Sequence, residues 1–261
     1  MWAKLMSDLL VDNKVVIKNV NAVIFDKDGT LIDIHYYWVS IIKLRATLVA
    51  KKWFKKCNKA QIEEYLINIM GVDLVTKKMK PDGPVGVLPR REIVTLVADF
   101  VRKSSNKITD DDIEEIFINV DKISSRDMIS FVKILPGVQD LLIKLKDFNI
   151  QSIIISNDIT SRAKLAMKAL NLDKYFSKII GGDLAEKVKP NPDLALLALN
   201  DLKLNSSNVA IVGDHPFDIM MGTAANLGIN IAVLTGLTDS SAKFNDLECV
   251  VVEDLKQISI C

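Results

Sequence analysis

The stretch of residues 22–31, AVIFDKDGTL, limits the folds open to this chain more than any other part of the sequence. Its first four residues form an apolar run too short for a helix, and Gly29 bounds the stretch, which is typical of a buried parallel strand. Two acids, Asp26 and Asp28, follow the run at once. Because carboxylates at the end of a core strand are unfavourable unless something neutralises them, the stretch predicts a sheet that carries an acidic group at one strand end.

Two interpretations of these acids stay open on this stretch alone. A hard cation such as Mg²⁺ would neutralise the pair and leave one carboxylate free to act as a nucleophile. Gly29 would then let the backbone turn so that its amides face an anion. Alternatively, Asp28 and Gly29 form an ordinary turn after a strand, and the ten residues by themselves favour neither interpretation.

Three further motifs follow the first in the chain, each beside a predicted strand end or helix start. They contain Ser156 and Asn157 after a second apolar strand, Lys189 before a helix, and Asp214 and Asp218 after a third strand. Taken singly, these residues also suit a helix cap, an exposed lysine and acids in a turn. Strands and helices alternate here, which predicts a doubly wound parallel sheet whose strand carboxyl ends meet at one edge. The ordinary explanations do not account for the shared order and placement at that edge.

The four motifs in this order resemble the haloacid dehalogenase superfamily in its phosphatase branch. The similarity covers residues 20–35 and 134–255 and points to the phosphoglycolate phosphatase and β-phosphoglucomutase group, whose helical cap is inserted just after the first motif. It implies an α/β fold, a doubly wound parallel sheet of the Rossmannoid type with an inserted α-helical cap domain. We therefore expect residues 1–33 and 135–261 to form the core domain and residues 34–134 to form the cap domain.

The resemblance also implies a role for each acid. Asp26 would attack phosphorus and form an aspartyl-phosphate, and Asp28 would protonate the leaving oxygen and then activate the hydrolytic water. Mg²⁺ would be bound by Asp26, by the backbone carbonyl of Asp28 and by Asp214. Asp218, one helical turn beyond Asp214, would support the metal site directly or through water.

The remaining motif residues would bind the phosphate group. By resemblance, Ser156 would donate a hydrogen bond to a phosphate oxygen, helped by the backbone amide of Asn157. Lys189 would neutralise the phosphate and keep Asp26 ionised. Lys27 replaces the aromatic residue that many relatives carry between the two acids. The resemblance implies that only the backbone of this position is needed, so we expect the replacement to be harmless.

The second acid of the first motif narrows the reaction. Relatives that dehalogenate lack this acid, those that cleave phosphonates have alanine there, and the ion-pump ATPases have threonine, so Asp28 favours phosphate-ester chemistry. We expect a magnesium-dependent phosphatase acting on a small phosphorylated metabolite. A phosphomutase of the β-phosphoglucomutase type stays open, because mutases keep both acids. A non-catalytic binding or regulatory module on the same fold is a further alternative, against which the intact set of motif residues argues.

The inserted block has a helical periodicity and an excess of basic residues. Its pattern predicts a helix from Asp110 to Phe131, with Thr109 as the N-cap and acids in the first turn. Residues 34–91 contain twelve Lys or Arg against four Asp or Glu, and residues 34–62 contain seven basic residues and no acid. A solvated helix face explains most of these lysines. Electrostatic attraction of an anionic substrate is the functional alternative.

Composition limits location and partners. The net charge of +1 over 261 residues and the lack of a binding motif argue against a nucleic-acid partner. No apolar run approaches the ~18 residues of a membrane helix, and the amino-terminal residues do not resemble a signal peptide. Three widely spaced cysteines form no disulfide framework and fit a reducing, cytoplasmic location. The sequence assigns no oligomeric state.

Overall fold

The protein is described from a computed structural model, which covers residues 7–55, 57–104, 107–237 and 240–261. These residues form two sheets and a series of helices. The strands are β1 (Leu9–Val11), β2 (Lys14–Ile17), β3 (Ala22–Phe25), β4 (Gln151–Ile155), β5 (Phe176–Ile180), β6 (Val209–Gly213), β7 (Ile229–Val233), β8 (Val250–Val252) and β9 (Ile258–Ile260). The helices are α1 (Ile34–Trp53), α2 (Lys59–Ile69), α3 (Pro84–Val87), α4 (Arg90–Arg102), α5 (Asp110–Arg126), α6 (Val138–Asp147), α7 (Thr160–Ala169), α8 (Asp193–Leu202) and α9 (Pro216–Ala224).

The larger sheet has six parallel strands in the order β5-β4-β3-β6-β7-β8. Strand β3 is central, because Phe25 pairs with Ile154 of β4 on one side and with Val212 of β6 on the other. All four residues of β3 are buried, as expected for a strand covered on both faces. The predicted α/β fold class with a parallel sheet is therefore confirmed.

One face of this sheet forms a continuous apolar core with two helices. Ala22 and Ile24, two positions apart on β3, contact the same cluster, since alternate residues of a strand point to the same side. Leu194 of α8 and Met221 of α9 belong to this cluster. The packing fixes the strands and the helices that follow them, so the positions of the strand ends are also fixed.

A smaller antiparallel sheet joins the two ends of the described chain. Its strand order is β2-β1-β9, and Leu9 of β1 pairs with Ile260 of β9. Strand β1 also pairs with β2, which follows it directly. The carboxyl-terminal strand is thereby bound to the segment that leads into β3.

The chain divides into two compact units. Residues 1–33 and 132–261 form the α/β unit, and residues 34–131 form a helical unit that contains α1 to α5. Thr109 begins α5 as predicted, since its hydroxyl accepts a hydrogen bond from the Asp112 amide and the Asp112 carboxylate accepts one from the Thr109 amide. The helix predicted to reach residue 131 ends earlier, and a short 3₁₀ turn at 128–130 follows it.

Some basic residues of the helical unit are neutralised inside it. The Arg45 guanidinium is buried 4.0 Å from the centre of the Phe117 ring, and its Nη2 atom lies 3.9 Å from Asp121 Oδ1. Arg90 Nη1 lies 2.5 Å from Asp121 Oδ2. The lysines at positions 51, 52, 55 and 59 are exposed, in agreement with a solvated face. Within the described ranges, no helix combines the length and the apolar character needed to cross a membrane.

Candidate active site

Three motif residues meet because their strands are neighbours. Asp26 follows β3, Ser156 follows β4 and Asp214 follows β6, and β3 lies between the other two strands. The Asp26 amide donates a hydrogen bond to the Val212 carbonyl of β6 at 2.9 Å, so the pairing of these strands continues into the motif. The carboxyl edge of the sheet thus brings the motifs together, as parallel strand order requires.

Three buried carboxylates form a cluster at this edge. One oxygen each from Asp26, Asp214 and Asp218 lies within 4.8 Å of the others. Lys189 is only 5% exposed, and its ammonium lies 2.6 Å from Asp26 Oδ1 and 2.6 Å from Asp218 Oδ1. With all three carboxylates ionised, this ammonium leaves two negative charges in the cluster uncompensated.

The proton affinities of these groups reflect the crowding of charge. Burial raises the pKa of Asp214 well above its ordinary value, and the charges of Asp26 and Asp218 raise it further. Burial also raises the pKa of Asp218 to about 6, although Lys189 opposes this shift. Burial lowers the pKa of Lys189, but the charges of Asp218 and Asp26 outweigh burial and raise that pKa above its ordinary value. The cluster therefore favours an added positive charge.

The start of α9 positions Asp218. Its Oδ2 atom accepts a hydrogen bond from the His215 amide at 3.1 Å, and the His215 side chain caps the same helix by accepting from the Phe217 amide. The other oxygen, Oδ1, is left to bind Lys189. The Asp218 carboxylate therefore binds the backbone at the start of α9 through one oxygen and the buried lysine through the other.

Two glycines give Asp214 its space. A Cβ atom on Gly29, whose φ is +93°, would lie 2.5 Å from Asp214 Oδ2, and one on Gly236 would lie 1.7 Å from the same atom. Thr30 Oγ1 lies 3.4 Å from Asp214 Oδ1, and Thr235 donates a hydrogen bond to the Gly29 carbonyl at 2.6 Å. Gly236 was not among the residues predicted from the sequence, although a glycine shortly after strand β7, at the same edge of the sheet, was a usable signal.

The loop after β4 carries the predicted phosphate-binding residues. Ser156 is buried, and its hydroxyl accepts a hydrogen bond from the Asp158 amide at 3.1 Å. The Asn157 side chain was not assigned a role from sequence. Its Oδ1 atom accepts a hydrogen bond from the Lys189 amide at 3.1 Å, so it ties this loop to the segment that carries the buried lysine.

Asp28 lies outside the carboxylate cluster and has its own cationic partner. Lys27 is fully buried, and its Nζ atom lies 2.9 Å from Asp28 Oδ2 and 3.1 Å from Asp158 Oδ2. Burial raises the pKa of Asp28 to about 6; Lys27 opposes this shift, while Asp158 and Asp26 add to it. From the sequence, only the backbone of position 27 was expected to matter, and the contacts of the Lys27 side chain with Asp28 and Asp158 were not predicted.

The residues present fit a divalent cation. Carboxylate oxygens are the hard donors that Mg²⁺ prefers, and with all three carboxylates ionised the cluster would carry two negative charges that Lys189 does not balance. Of the predicted side-chain ligands, Asp26 and Asp214 come together, and Asp218 joins them with a carboxylate oxygen of its own. The Asp28 carboxylate is not among the three, and its backbone carbonyl as a metal ligand stays a prediction.

Comparisons with known proteins identify relatives over most of the chain. A family model described as haloacid dehalogenase-like hydrolase matches residues 23–233. The chain is 26% identical over 240 residues to the pyrophosphatase PpaX of Oceanobacillus iheyensis, covering 92% of this chain and 95% of that protein. It is 27% identical over 239 residues to a phosphoglycolate phosphatase of Neisseria gonorrhoeae, covering 88% of this chain and 86% of that protein.

A solved structure has the same fold. The crystal structure of a β-phosphoglucomutase assigned by similarity in Thermotoga maritima superposes with a TM-score of 0.67 at 21% sequence identity, covering 91% of this chain and 96% of that one. At this identity the likeness concerns the fold alone. It agrees with the parallel sheet described above.

Proposed function

Since the chain belongs to the family of haloacid dehalogenase-like hydrolases, we propose that it is a magnesium-dependent phosphatase that hydrolyses a small phosphorylated metabolite through an aspartyl-phosphate. The observation that carries this proposal is the buried contact of Lys189 with Asp26 inside the carboxylate cluster. A carboxylate held next to an ammonium at the carboxyl edge of a parallel sheet is suited to nucleophilic attack on a phosphorus atom.

Asp26 is the nucleophile in this proposal. Its carboxylate oxygen forms a bond to phosphorus while the bond from phosphorus to the leaving oxygen breaks, and the electron pair of that bond stays on the leaving oxygen. Asp28 supplies the proton that this oxygen takes up. The 2.6 Å contact from Lys189 supports the role of Asp26, because the ammonium orients this carboxylate and balances its charge.

Hydrolysis of the aspartyl-phosphate completes the cycle. Asp28, now ionised, takes a proton from water as the water oxygen bonds to phosphorus, and the bond between phosphorus and the Asp26 oxygen breaks. Inorganic phosphate leaves, and both carboxyl groups return to their starting states. The partly raised pKa of Asp28, about 6, supports this double role, since such a group exchanges its proton readily near neutral pH.

The other motif residues bind the phosphoryl group and the metal. The Ser156 hydroxyl and the Asn157 amide donate to phosphate oxygens, and Lys189 balances their charge. Asp26, Asp214 and the Asp28 carbonyl hold Mg²⁺, with Asp218 in support. When bound, Mg²⁺ supplies positive charge where negative charge accumulates on the phosphoryl oxygens.

The helical unit of residues 34–131 is, in this proposal, the cap that selects the substrate. Its insertion directly after the first motif and its excess of basic residues support a preference for anionic substrates. The relatives named pyrophosphatase and phosphoglycolate phosphatase indicate small phosphorylated compounds. Three free cysteines support a cytoplasmic location, and the near-neutral net charge supports the absence of a nucleic-acid partner.

Phosphate release from a substrate panel tests the proposal. The panel contains phosphoglycolate, pyrophosphate, sugar phosphates and nucleotides, each with Mg²⁺ and with chelator. We expect free phosphate from at least one compound only with Mg²⁺, and a gain of one phosphoryl group in the mass of acid-quenched protein that Asp26→Asn abolishes. An isomerised sugar phosphate in place of free phosphate would instead indicate a mutase. Absence of both turnover and phosphorylated protein would indicate a non-catalytic module.

A further inference from the structure

We propose that Lys27 is a positioning residue for Asp28, and that it decides which oxygen of that carboxyl group exchanges the catalytic proton. In this arrangement Asp158 holds the Lys27 ammonium, the ammonium holds Asp28 Oδ2, and Asp28 Oδ1 is left for the leaving oxygen and the hydrolytic water. This inference rests on the proposed function, because a leaving oxygen exists only if the chain transfers a phosphoryl group.

The burial of Lys27 is the first observation. Its side chain is 1% exposed, and lysine is almost never buried to this extent unless it is paired. The two carboxylate oxygens at 2.9 Å and 3.1 Å, from Asp28 and Asp158, provide that pairing. A buried ammonium without such partners would be strongly unfavourable, so this position of Lys27 depends on both acids.

Asp158 is itself held in place. Its Oδ1 atom accepts a hydrogen bond from the Ile159 amide at 2.8 Å and lies 3.7 Å from Arg162 Nη1. Its backbone amide donates to Ser156, and its carbonyl accepts from the Gly182 amide. Both the side chain and the backbone of Asp158 are therefore held by hydrogen bonds. Its Oδ2 atom, which faces Lys27, holds the ammonium in position in turn.

The hydrogen-bonding capacity of the ammonium then assigns the two oxygens of Asp28. An ammonium has three donors and no acceptor, so the oxygen that faces it must accept. The proton of a neutral Asp28 carboxyl group consequently lies on Oδ1. This atom is buried and accepts no hydrogen bond from any residue in the described part of the chain, and buried polar atoms of this kind call for a partner.

The substrate supplies that partner in the reaction. As the bond between phosphorus and the leaving oxygen breaks, the O–H bond at Oδ1 breaks and the leaving oxygen takes the proton. The negative charge that remains on Asp28 then faces the ammonium at Oδ2. In the second step a water proton returns to Oδ1, so the same oxygen serves in both directions.

Two lysines thus divide the acids of the site between them. Lys189 contacts Asp26 and Asp218, whereas Lys27 contacts Asp28 and Asp158. The first pairing concerns the proposed nucleophile and metal site, and the second concerns the proposed acid–base group. A change at Lys27 should therefore affect proton transfer selectively.

The test compares an alkyl phosphate with nitrophenyl phosphate in Lys27→Met. The alkyl leaving group needs protonation and the nitrophenolate hardly does, so we expect the ratio of their kcat values, alkyl to aryl, to fall about ten- to a hundredfold. KM should change little, since Lys27 is not assigned a phosphate contact. The ratio does not depend on how much protein is folded. Lys178→Met, which removes the Lys178–Asp201 ion pair of the same unit, should leave the ratio unchanged.

Further variants separate a positioning role from a structural one. Lys27→Met removes a cationic partner of Asp158, and the second substitution Asp158→Asn removes the charge that would be left there. The double variant can therefore be measured if the single variant does not fold. It should show the same fall in the ratio. Lys27→Arg retains a cationic donor and should recover part of the loss. In an Asp28→Asn background, Lys27→Met should cost no further alkyl turnover, because the residue it acts through is already absent.

The outcomes are distinguishable. A wild-type protein that releases no phosphate and forms no aspartyl-phosphate would overturn the proposed function itself. An active wild type whose alkyl-to-aryl ratio is unchanged in Lys27→Met and in the double variant would overturn only the role of Lys27. Additive losses in the Asp28→Asn background would also overturn it, since Lys27 would then act independently of Asp28.

Discussion

The Lys189 ammonium lies 2.6 Å from the Oδ1 atom of Asp26, although the two residues are 163 positions apart in the chain. The same nitrogen lies 2.6 Å from Asp218 Oδ1, so one buried charge joins three separate motifs. Its pKa is raised above the ordinary lysine value because these acids outweigh the effect of burial. Lys189 therefore stays charged at neutral pH and balances part of the negative charge of the carboxylate cluster.

Lys189→Met should reduce turnover severely. The change removes the positive charge beside Asp26, and loss of one such electrostatic contact typically lowers kcat by about 100- to 1000-fold. Steady-state kinetics with nitrophenyl phosphate measures the effect. The matched control is Lys187→Met, an exposed lysine two positions away, which should retain wild-type kcat. Equal kcat values for the two variants would contradict the role of Lys189.

Asp28→Asn should affect the two chemical steps differently. General acid catalysis contributes about 100- to 10,000-fold, so turnover of an alkyl phosphate should fall by that order. Nitrophenyl phosphate needs little protonation, and its attack by Asp26 should be spared more. Because the introduced amide would also be unable to accept a proton from water, the aspartyl-phosphate should accumulate. Rapid mixing should show a burst of nitrophenolate followed by slow turnover, and equal losses on both esters without a burst would contradict the double role.

Asp214→Asn should stabilise the metal-free protein at neutral pH. The folded-state pKa of Asp214 is raised above its unfolded value, so the folded state binds more protons between those two values and stability falls as pH rises through them. At pH about 8, above the unfolded-state pKa, Asp214 therefore lowers the stability of the folded state, and the variant removes this cost. Thermal unfolding in chelator should give the variant the higher Tm at that pH, and the difference should shrink as pH is lowered towards about 4. Burial lowers the pKa of His215, which adds its own pH dependence to the stability of the protein. Both proteins contain His215, so this pH dependence cancels in the difference between their Tm values.

Added Mg²⁺ should reverse this order of stability. A ligand at 100 times its Kd stabilises the folded state by about 2.7 kcal/mol. We expect Mg²⁺ to stabilise the wild type by this order and to stabilise Asp214→Asn by less. The exposed acid Asp173 offers a control, since Asp173→Asn should respond to Mg²⁺ as the wild type does. Equal Mg²⁺ shifts in all three proteins would exclude Asp214 as a ligand.

Gly236→Ala should weaken the metal site by displacing a carboxylate. The new Cβ atom would lie 1.7 Å from Asp214 Oδ2, so the side chain has to move. We expect the Mg²⁺ concentration for half-maximal activity to rise several-fold. Gly228→Ala is also crowded, with its Cβ 2.2 Å from the Ser207 carbonyl oxygen, but its nearest atoms belong to Ser207 and Ile17 and not to an acid, so it should lower Tm only. A similar Mg²⁺ requirement in both variants would refute the steric argument.

Many strands and helices could be predicted, because each forms from a pattern of residues that are close together in the sequence. The apolar run before Asp26 and the Thr109 cap of α5 are local patterns, and the structure has both. The end of α5 was placed too late, since a continuing helical pattern extends past the 3₁₀ turn at 128–130. Parallel pairing then brought the strand ends together, so the positions of Asp26 and Asp214 followed from strand order.

Other features of the site depend on contacts that no local pattern encodes. The side chain of Asn157 binds the backbone of Lys189, and Gly236 leaves space for a carboxylate from a different strand end. Neither residue type signals such a role by itself, because asparagine and glycine are common in loops for purely local reasons.

The sequence by itself determined the parallel sheet, the order of the motifs and which acids follow the strands, since apolar periodicity and turn residues act over a few positions. Only the tertiary structure decided which lysine serves which acid. Lys27 contacts Asp158 across 131 positions because β3 and β4 are neighbours in the sheet. Lys189, which lies between β5 and α8, contacts Asp26 across 163 positions. A buried charge is stable only where the folded chain places its partner, so its pairing appears only when the fold is complete.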